Sequence, residues 1–187
     1  MTKLQRLLLW LGVMISPPPA TCATVPGFAG LQSDVVFSDY TPLSSSAELV
    51  HRLLSPLNAV RVGKSLAHSA AALRDQPIDL AQERFTVYVP SHSAAEGYGL
   101  LVFVPPWENA MLPQGWAAIL DRHGVIFVSA ANSGNAASIL DRREPLALLA
   151  AHNVKQRFHV DPERTYVGGY SGGARVALRL ALGFPDV

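Results

Sequence analysis

Three features of the sequence predict a doubly wound α/β domain with a mostly parallel sheet. About half of the 187 residues are hydrophobic and 16% are charged, as expected for a sheet buried under helices. Four short apolar runs follow residue 83, namely FTVYVP, GLLVFVP, VIFVSA and TYVG. Helical patterns separate these runs, so strands and helices alternate along the chain.

The first 23 residues are expected to form a signal peptide. Lys3 and Arg6 precede the apolar run LLLWLGVMI at residues 7–15, which is too short to span a bilayer. Three prolines and several small residues follow, so cleavage is expected near residues 20–24, and the mature protein is expected to be secreted or periplasmic. Cys22 is the only cysteine, which excludes an internal disulfide. Lipid attachment at Cys22 is disfavoured because the preceding residues lack the leucine of a lipobox.

Residues 24–83 are predicted to form a segment that is first irregular and then helical. No periodic pattern is present up to about residue 45. Ser44, Ser45 and Ser46 offer N-caps for a helix that continues to Leu54. Pro56 is expected to end or kink this helix, and a second, weakly helical stretch covers residues 60–73.

Residues 84–187 carry the predicted α/β domain, with its strands at the four apolar runs. Helices are expected at residues 114–122 and from Pro145 to Phe158. A further helix is expected after residue 172, with apolar positions at Val176, Leu178, Leu180 and Leu182.

The composition argues against several functions. The formal net charge is +1 and no run rich in Lys or Arg occurs, so no nucleic-acid partner is expected. The six histidines have neither HxxxH spacing nor a cysteine partner, so no metal site is expected.

The sequence GYSGG at residues 169–173 matches the motif G-x-S-x-G between an apolar strand and a helix. In this motif the serine sits at the apex of a strained turn, which exposes its oxygen above the sheet. Gly169 and Gly173 are expected because side chains two residues before and after the serine would collide. Ser171 is therefore the candidate nucleophile, and the N–H of Gly172 is the candidate donor to an oxyanion.

Two other interpretations of this motif are less favoured. The glycines could serve a tightly packed turn with no chemistry. A phosphate-binding loop is disfavoured because GGYSGG lacks the lysine of a P-loop and does not match GxGxxG.

The stretch HVDPERTYVGGYSGGARVALRLALGFPDV at residues 159–187 resembles α/β-hydrolases, in particular secreted bacterial esterases related to polyhydroxybutyrate depolymerases and feruloyl esterases. The similarity extends over about residues 80–187. It implies a carboxylic ester hydrolase that forms an acyl-enzyme on Ser171. It also implies an ester-type small molecule or polymer as substrate and no cofactor.

The first departure from this family lies after the second apolar run. Such esterases usually place His-Gly there, where backbone N–H groups complete the oxyanion hole. This chain has Val104-Pro105-Pro106-Trp107-Glu108, and neither proline has an N–H. The second donor would come from Trp107 or Glu108, or be missing; Trp107 is equally well explained as a wall of the pocket.

The second departure concerns the catalytic acid and base. The triad of this fold runs Ser, then Asp or Glu, then His along the chain. Only Asp186 follows Ser171, no histidine does, and Asp186 resembles a surface Pro-Asp turn of the family. Without a base, a serine hydroxyl is a poor nucleophile.

The chain is therefore expected to be truncated after the helix that follows Ser171, with its triad acid and histidine supplied by sequence not present here. The last strand would become a sheet edge, which either a partner or the missing C-terminal part would cover. The alternative functions are a non-catalytic secreted binding module and a peptidase of the same superfamily.

Overall fold

A computed structural model describes residues 28–68 and 75–187 of the chain. The expected signal peptide and Cys22 lie outside the described residues. The strands are β1 (Gly30–Val35), β2 (Phe85–Val89), β3 (Tyr98–Val104), β4 (Val125–Ala130) and β5 (Val160–Gly169). The helices are α1 (Ser46–Leu53), α2 (Pro56–Ala67), α3 (Trp116–His123), α4 (Glu144–Arg157) and α5 (Gly172–Gly183). A π-helical turn at Ile139–Arg143 leads into α4.

The five strands form one sheet in the order β1-β2-β4-β3-β5. β4, β3 and β5 run parallel to one another, whereas β2 runs antiparallel to both of its neighbours. The carboxyl ends of β3, β4 and β5 therefore lie at the same edge of the sheet. The predicted α/β architecture is confirmed: the sheet is mixed, and three of its five strands run parallel to one another.

Helices cover both faces of the sheet, because side chains of a strand alternate between faces. On β3, Leu100 and Val102 join the larger core, which also contains apolar residues of α1, α4 and α5. Leu101 and Phe103 point the other way, into a smaller aromatic cluster with Trp116 of α3. Such two-sided burial explains why β2, β3 and β4 are almost continuously apolar.

The N-terminal segment contains a strand that its sequence does not indicate. β1 lies within the residues expected to be irregular, and it pairs antiparallel with β2, with Gly30 opposite Val89. Its sequence GLQSDV is half polar, and its residues are exposed or half-buried. Hydrophobic alternation is therefore too weak to reveal this edge strand.

The two helices of the N-terminal segment begin at serine caps. The Ser45 hydroxyl accepts a hydrogen bond from the N–H of Glu48 at the start of α1, and the Ser55 hydroxyl caps α2 in the same way. α1 ends at Leu53, shortly before Pro56, as expected, and Pro56 itself occupies the first position of α2. Proline is favoured there because the missing N–H would have no partner within the helix.

The apolar positions of α5 do not share one face. Val176 and Leu180 are buried, whereas Leu178 and Leu182 are 62% and 75% exposed. Residues two positions apart on a helix lie on opposite sides, while residues four apart lie on the same side. α5 therefore has a second apolar face, which no described residue covers.

β5 forms the outer edge of the described sheet. It pairs with β3 on one side only, and Tyr166 on it is half exposed. No helix in the described ranges is long and apolar enough to cross a membrane. An unpaired sheet edge and exposed leucines each favour association with another chain.

We therefore expect the full-length chain to self-associate, and the substitutions Leu178→Lys and Leu182→Lys together to reduce this association. Covering both leucines would stabilise an assembly by about 3–6 kcal/mol, and lysines remove that gain. Light scattering across a concentration series provides the measurement. Leu57→Lys on α2 is the matched control, because Leu57 is also 62% exposed. A wild-type chain that stays a monodisperse monomer at all concentrations would refute this expectation.

Candidate active site

Ser171 occupies the turn between β5 and α5 in a strained backbone conformation. Its φ of 52° and ψ of −120° lie in a region that residues with a side chain rarely adopt. The turn is closed by a hydrogen bond of 2.8 Å from the N–H of Gly173 to the carbonyl of Tyr170. The Ser171 side chain is exposed at the carboxyl edge of the sheet.

Three glycines around Ser171 allow backbone segments to approach each other. A Cβ on Gly169 would lie 2.5 Å from the carbonyl carbon of Gly173. A Cβ on Gly173 would overlap the carbonyl oxygen of Val104, at the end of β3. A Cβ on Gly172 would overlap the side-chain oxygen of Asn135. The tight turn therefore has no room for larger residues at Gly169 and Gly173, where the close contacts are backbone atoms, whereas the Asn135 side chain can rotate away from a Cβ on Gly172.

The first N–H of α5 is available to a ligand. Gly172 N–H donates no hydrogen bond to any described residue, and it lies at the positive end of the helix dipole. Ser171 and Gly172 line a cavity of about 560 Å³, together with Asn135, Ile139, Arg143 and Arg175. An oxyanion formed beside Ser171 would meet this free N–H.

Two loops at the carboxyl edge of the sheet are tied together beside this cavity. The loop after β3 includes Pro105 and Pro106, and the loop after β4 includes Ser133 and Asn135. The N–H of Asn135 donates to the Pro106 carbonyl at 3.0 Å. Buried Arg143 donates from Nη2 to the Pro105 carbonyl at 2.9 Å and from Nε to the Ser133 carbonyl at 2.8 Å. One guanidinium thus fixes both loops.

Trp107 lies next to Ser171 but not among the residues that line its cavity. Its indole ring packs against Phe103 and Tyr170, with ring centroids 6.4 and 6.3 Å apart. The backbone N–H groups of Trp107 and Glu108 donate no hydrogen bond to any described residue. The structure therefore packs the Trp107 ring between Phe103 and Tyr170, outside the cavity lining, and its backbone N–H has no partner among the described residues.

All six histidines are among the described residues, and three of them lie at the opposite edge of the sheet from Ser171. His123 ends α3 two residues before β4, His159 directly precedes β5, and the backbone of His92 packs against Gly124. β3 separates these residues from Ser171, and its length from Tyr98 to Val104 is about 20 Å.

None of the remaining three histidines lines the cavity at Ser171. His152 lies two turns into α4, about 12 Å along the helix from its start. His68 caps the end of α2. His51 is on α1, which contacts the far end of α5, where Leu53 lies against Gly183.

The one acid after Ser171 is engaged elsewhere. Asp186 forms an exposed ion pair of 3.0 Å with Arg52 of α1. It lies beyond the carboxyl end of α5, about 18 Å from Ser171 along a helix of this length. The described residues therefore bring neither a histidine nor Asp186 to Ser171.

A buried ion pair holds α4 against α5 near the cavity. Glu144 is fully buried and accepts a hydrogen bond of 2.6 Å from Arg179 Nε. Burial raises the pKa of the Glu144 carboxyl, and the hydrogen bond from Arg179 opposes this rise. Its second oxygen is buried without a partner among the described residues, and Glu144 is not among the residues that line the cavity.

Sequence reasoning identified Ser171, Gly172, Gly169 and Gly173 but missed Asn135, Arg143 and Arg175. Asn135 and Arg143 follow β4 in a loop and a π-helical turn, where no motif marks them. Arg175 could have been found, because a residue four positions after Ser171 lies on the same face of a helix.

Comparison with known proteins gives only partial likenesses. No protein-family model matches the chain, and no curated protein matches it. An acetyl xylan esterase from Aspergillus awamori is similar at 16% identity and a TM-score of 0.47, over 56% of this chain and 43% of that one. A thermostable esterase matches at 21% identity and 0.42, over 56% and 34%. Est1E from Butyrivibrio proteoclasticus matches at 16% and 0.40, over 55% and 40%.

This chain thus spans less than half the length of each of these solved structures. The fold described above is defined by the strand order and the turn at Ser171, independently of these likenesses.

We expect Gly173→Ala to destabilise the protein by about 3 kcal/mol or more, because its methyl group would overlap the Val104 carbonyl and force the backbone apart. Chemical unfolding followed by circular dichroism measures this loss. Gly63→Ala on α2 is the control, since a Cβ there meets nothing within 4 Å and should stabilise the helix by about 0.5–1 kcal/mol. Equal effects of the two substitutions would show that α5 does not pack closely on β3.

Proposed function

We propose that this chain is the nucleophile-bearing part of a serine hydrolase that cleaves carboxylic esters through an acyl-enzyme on Ser171. The observation that carries the proposal is the strained turn at Ser171, with the free N–H of Gly172 opening onto the same cavity. Strain of this kind persists only where the surrounding structure enforces it, and it is concentrated at functional sites. Exposing a hydroxyl beside a free helix N–H suits attack on a carbonyl group.

In the proposed reaction, Ser171 Oγ attacks the ester carbonyl carbon while a base removes the hydroxyl proton. The Gly172 N–H stabilises the negative oxygen of the tetrahedral intermediate. The intermediate collapses to an acyl-enzyme as the alcohol leaves with a proton. Water then attacks the acyl group and releases the acid, which regenerates Ser171.

We further propose that the base and the acid that orients it are contributed from outside this chain. The support is positional: no described histidine lines the cavity at Ser171, and Asp186 is paired with Arg52. The cavity of about 560 Å³ beside Ser171 has room for an additional side chain. The extracellular or periplasmic location expected from the N-terminus belongs to the same proposal.

A non-catalytic binding module is the second candidate function, and one observation favours it. Pro105 and Pro106 cannot donate hydrogen bonds, and their carbonyls are already used by Arg143 and Asn135. The loop after β3 thus supplies at most the N–H groups of Trp107 and Glu108 to an oxyanion. Such a module would bind the same ligands without cleaving them.

The test is hydrolysis of 4-nitrophenyl acetate by the full chain, with and without 2-methylimidazole as an added base. We expect feeble hydrolysis alone and a clear increase with the base, which restores part of the roughly 10²–10⁴-fold contribution of a positioned base. Ser171→Ala should lose both. Ser91→Ala is the control, because Ser91 is exposed at the end of β2.

Two outcomes would contradict the proposal in different ways. A wild-type rate equal to that of Ser171→Ala under all conditions would favour the binding module. A full esterase rate without added base, lost in Ser171→Ala, would show that one of the six histidines serves as the base.

A further inference from the structure

The cavity beside Ser171 is lined by cationic and neutral side chains. Its lining residues are Asn135, Ile139, Arg143, Ser171, Gly172 and Arg175, so the lining includes two arginines and no acidic residue. The positive end of the α5 dipole points into the same space. Cleavage of a neutral ester needs a nucleophile, an oxyanion donor and a base with its orienting acid, so the two arginines have no role in the chemistry proposed above.

Arg175 is a free cation at this cavity. It lies one helical turn after Ser171 on α5, and side chains on a helix lean towards its N-terminus. Arg175 is exposed and forms no hydrogen bond or ion pair with any described residue. Its guanidinium can therefore turn to a ligand without breaking an existing contact.

Other arginines near the site are already engaged. Arg179, one turn further along α5, is paired with Glu144. Arg142 forms two hydrogen bonds with Glu83, of 2.8 and 2.6 Å. Their charges are neutralised by these carboxylates, which leaves Arg175 as the group that gives the cavity its uncompensated charge.

Arg143 supplies the fixed wall of the same cavity. Its side chain is 3% exposed and is held by the carbonyls of Pro105 and Ser133. Glu108 and Glu144 lie near enough to offset part of its charge. An anion bound between Arg143 and Arg175 would therefore meet one rigid and one mobile guanidinium, with the Asn135 carboxamide beside them.

We propose that Arg175, with Arg143 and Asn135, forms a carboxylate-binding subsite beside Ser171, so that the preferred substrates are esters that carry a negative charge near the scissile bond. This inference rests on the proposed function for its substrate class, but the subsite itself is a binding property. A guanidinium binds a carboxylate through two parallel hydrogen bonds, which positions the ligand as well as attracting it. Ile139 offers a short apolar contact for the carbon chain between the carboxylate and the ester.

Binding of non-hydrolysable probes tests the subsite separately from catalysis. The probes are succinic acid monoanilide, which carries a carboxylate, and butyranilide, its neutral counterpart. We expect the full chain to bind the anionic probe more tightly. Arg175→Gln should weaken that binding by roughly tenfold or more and leave butyranilide unchanged, because a charge-assisted contact is lost. Added salt should weaken binding of the anionic probe alone.

Three variants complete the design. Arg122→Gln is the matched control, because Arg122 is exposed on α3, away from the cavity, and its replacement removes the same charge. Arg175→Lys keeps the charge without the planar fork and should restore part of the affinity. Ser171→Ala should bind both probes as the wild type does, so a failure of the hydrolase proposal would leave the subsite intact.

Equal binding of the two probes by the wild type, or failure of both to bind, would overturn the subsite. An equal loss for both probes in Arg175→Gln would assign a structural role to Arg175 instead.

With added base, two charged esters test on which side of the scissile bond the carboxylate lies. 4-Nitrophenyl hydrogen succinate carries it on the acyl side, and 4-acetoxybenzoate carries it on the alcohol side. The charged ester that the wild type hydrolyses faster than its uncharged counterpart, with that advantage lost in Arg175→Gln, identifies the side on which the carboxylate lies. If neither charged ester shows an advantage that depends on Arg175, the substrate preference is contradicted.

Discussion

The Cα atom of Gly173 lies against the carbonyl group of Val104, so close that a methyl group would not fit between them. This contact packs the start of α5 against the carboxyl end of β3. The chain must therefore turn sharply between β5 and α5. Gly169 packs against Gly173 within the same turn. Ser171 therefore adopts its unfavourable φ and ψ because the backbone on both sides is fixed, and its hydroxyl is held above the sheet as a consequence.

The walls of the cavity depend on a second constraint, the buried guanidinium of Arg143. Pro105 and Pro106 cannot donate hydrogen bonds, but both of their carbonyls accept one, from Arg143 and from the N–H of Asn135. The loop after β3 is thus held by hydrogen bonds to its carbonyl groups and lies against the loop after β4. This arrangement places Asn135 directly over Gly172 and fixes one side of the space into which Ser171 opens.

Local sequence predicted the parts of this molecule that are determined locally. The central strands were visible because burial on both faces makes them apolar throughout, and the nucleophile turn was visible because only glycine fits its close contacts. β1 was missed because an exposed edge strand needs no apolar pattern. The roles of Arg143 and Asn135 were missed because they depend on contacts between loops that are far apart in sequence. The two faces of α5 show a further limit. Apolar residues occupy every second position from Val176 to Leu182, and only the packed structure shows that Val176 and Leu180 are the buried pair.

Covalent labelling tests most directly whether the strained turn makes Ser171 a nucleophile. Trypsin should release residues 165–175 as the peptide TYVGGYSGGAR, in which Ser171 is the only serine. After incubation of the full chain with 4-nitrophenyl acetate and quenching in acid, fragmentation mass spectrometry would locate any acetyl group on this peptide. We expect an acetyl group on Ser171. Acetyl groups found on lysine and tyrosine side chains alone, with Ser171 unmodified throughout, would contradict the assignment of this turn as a catalytic site.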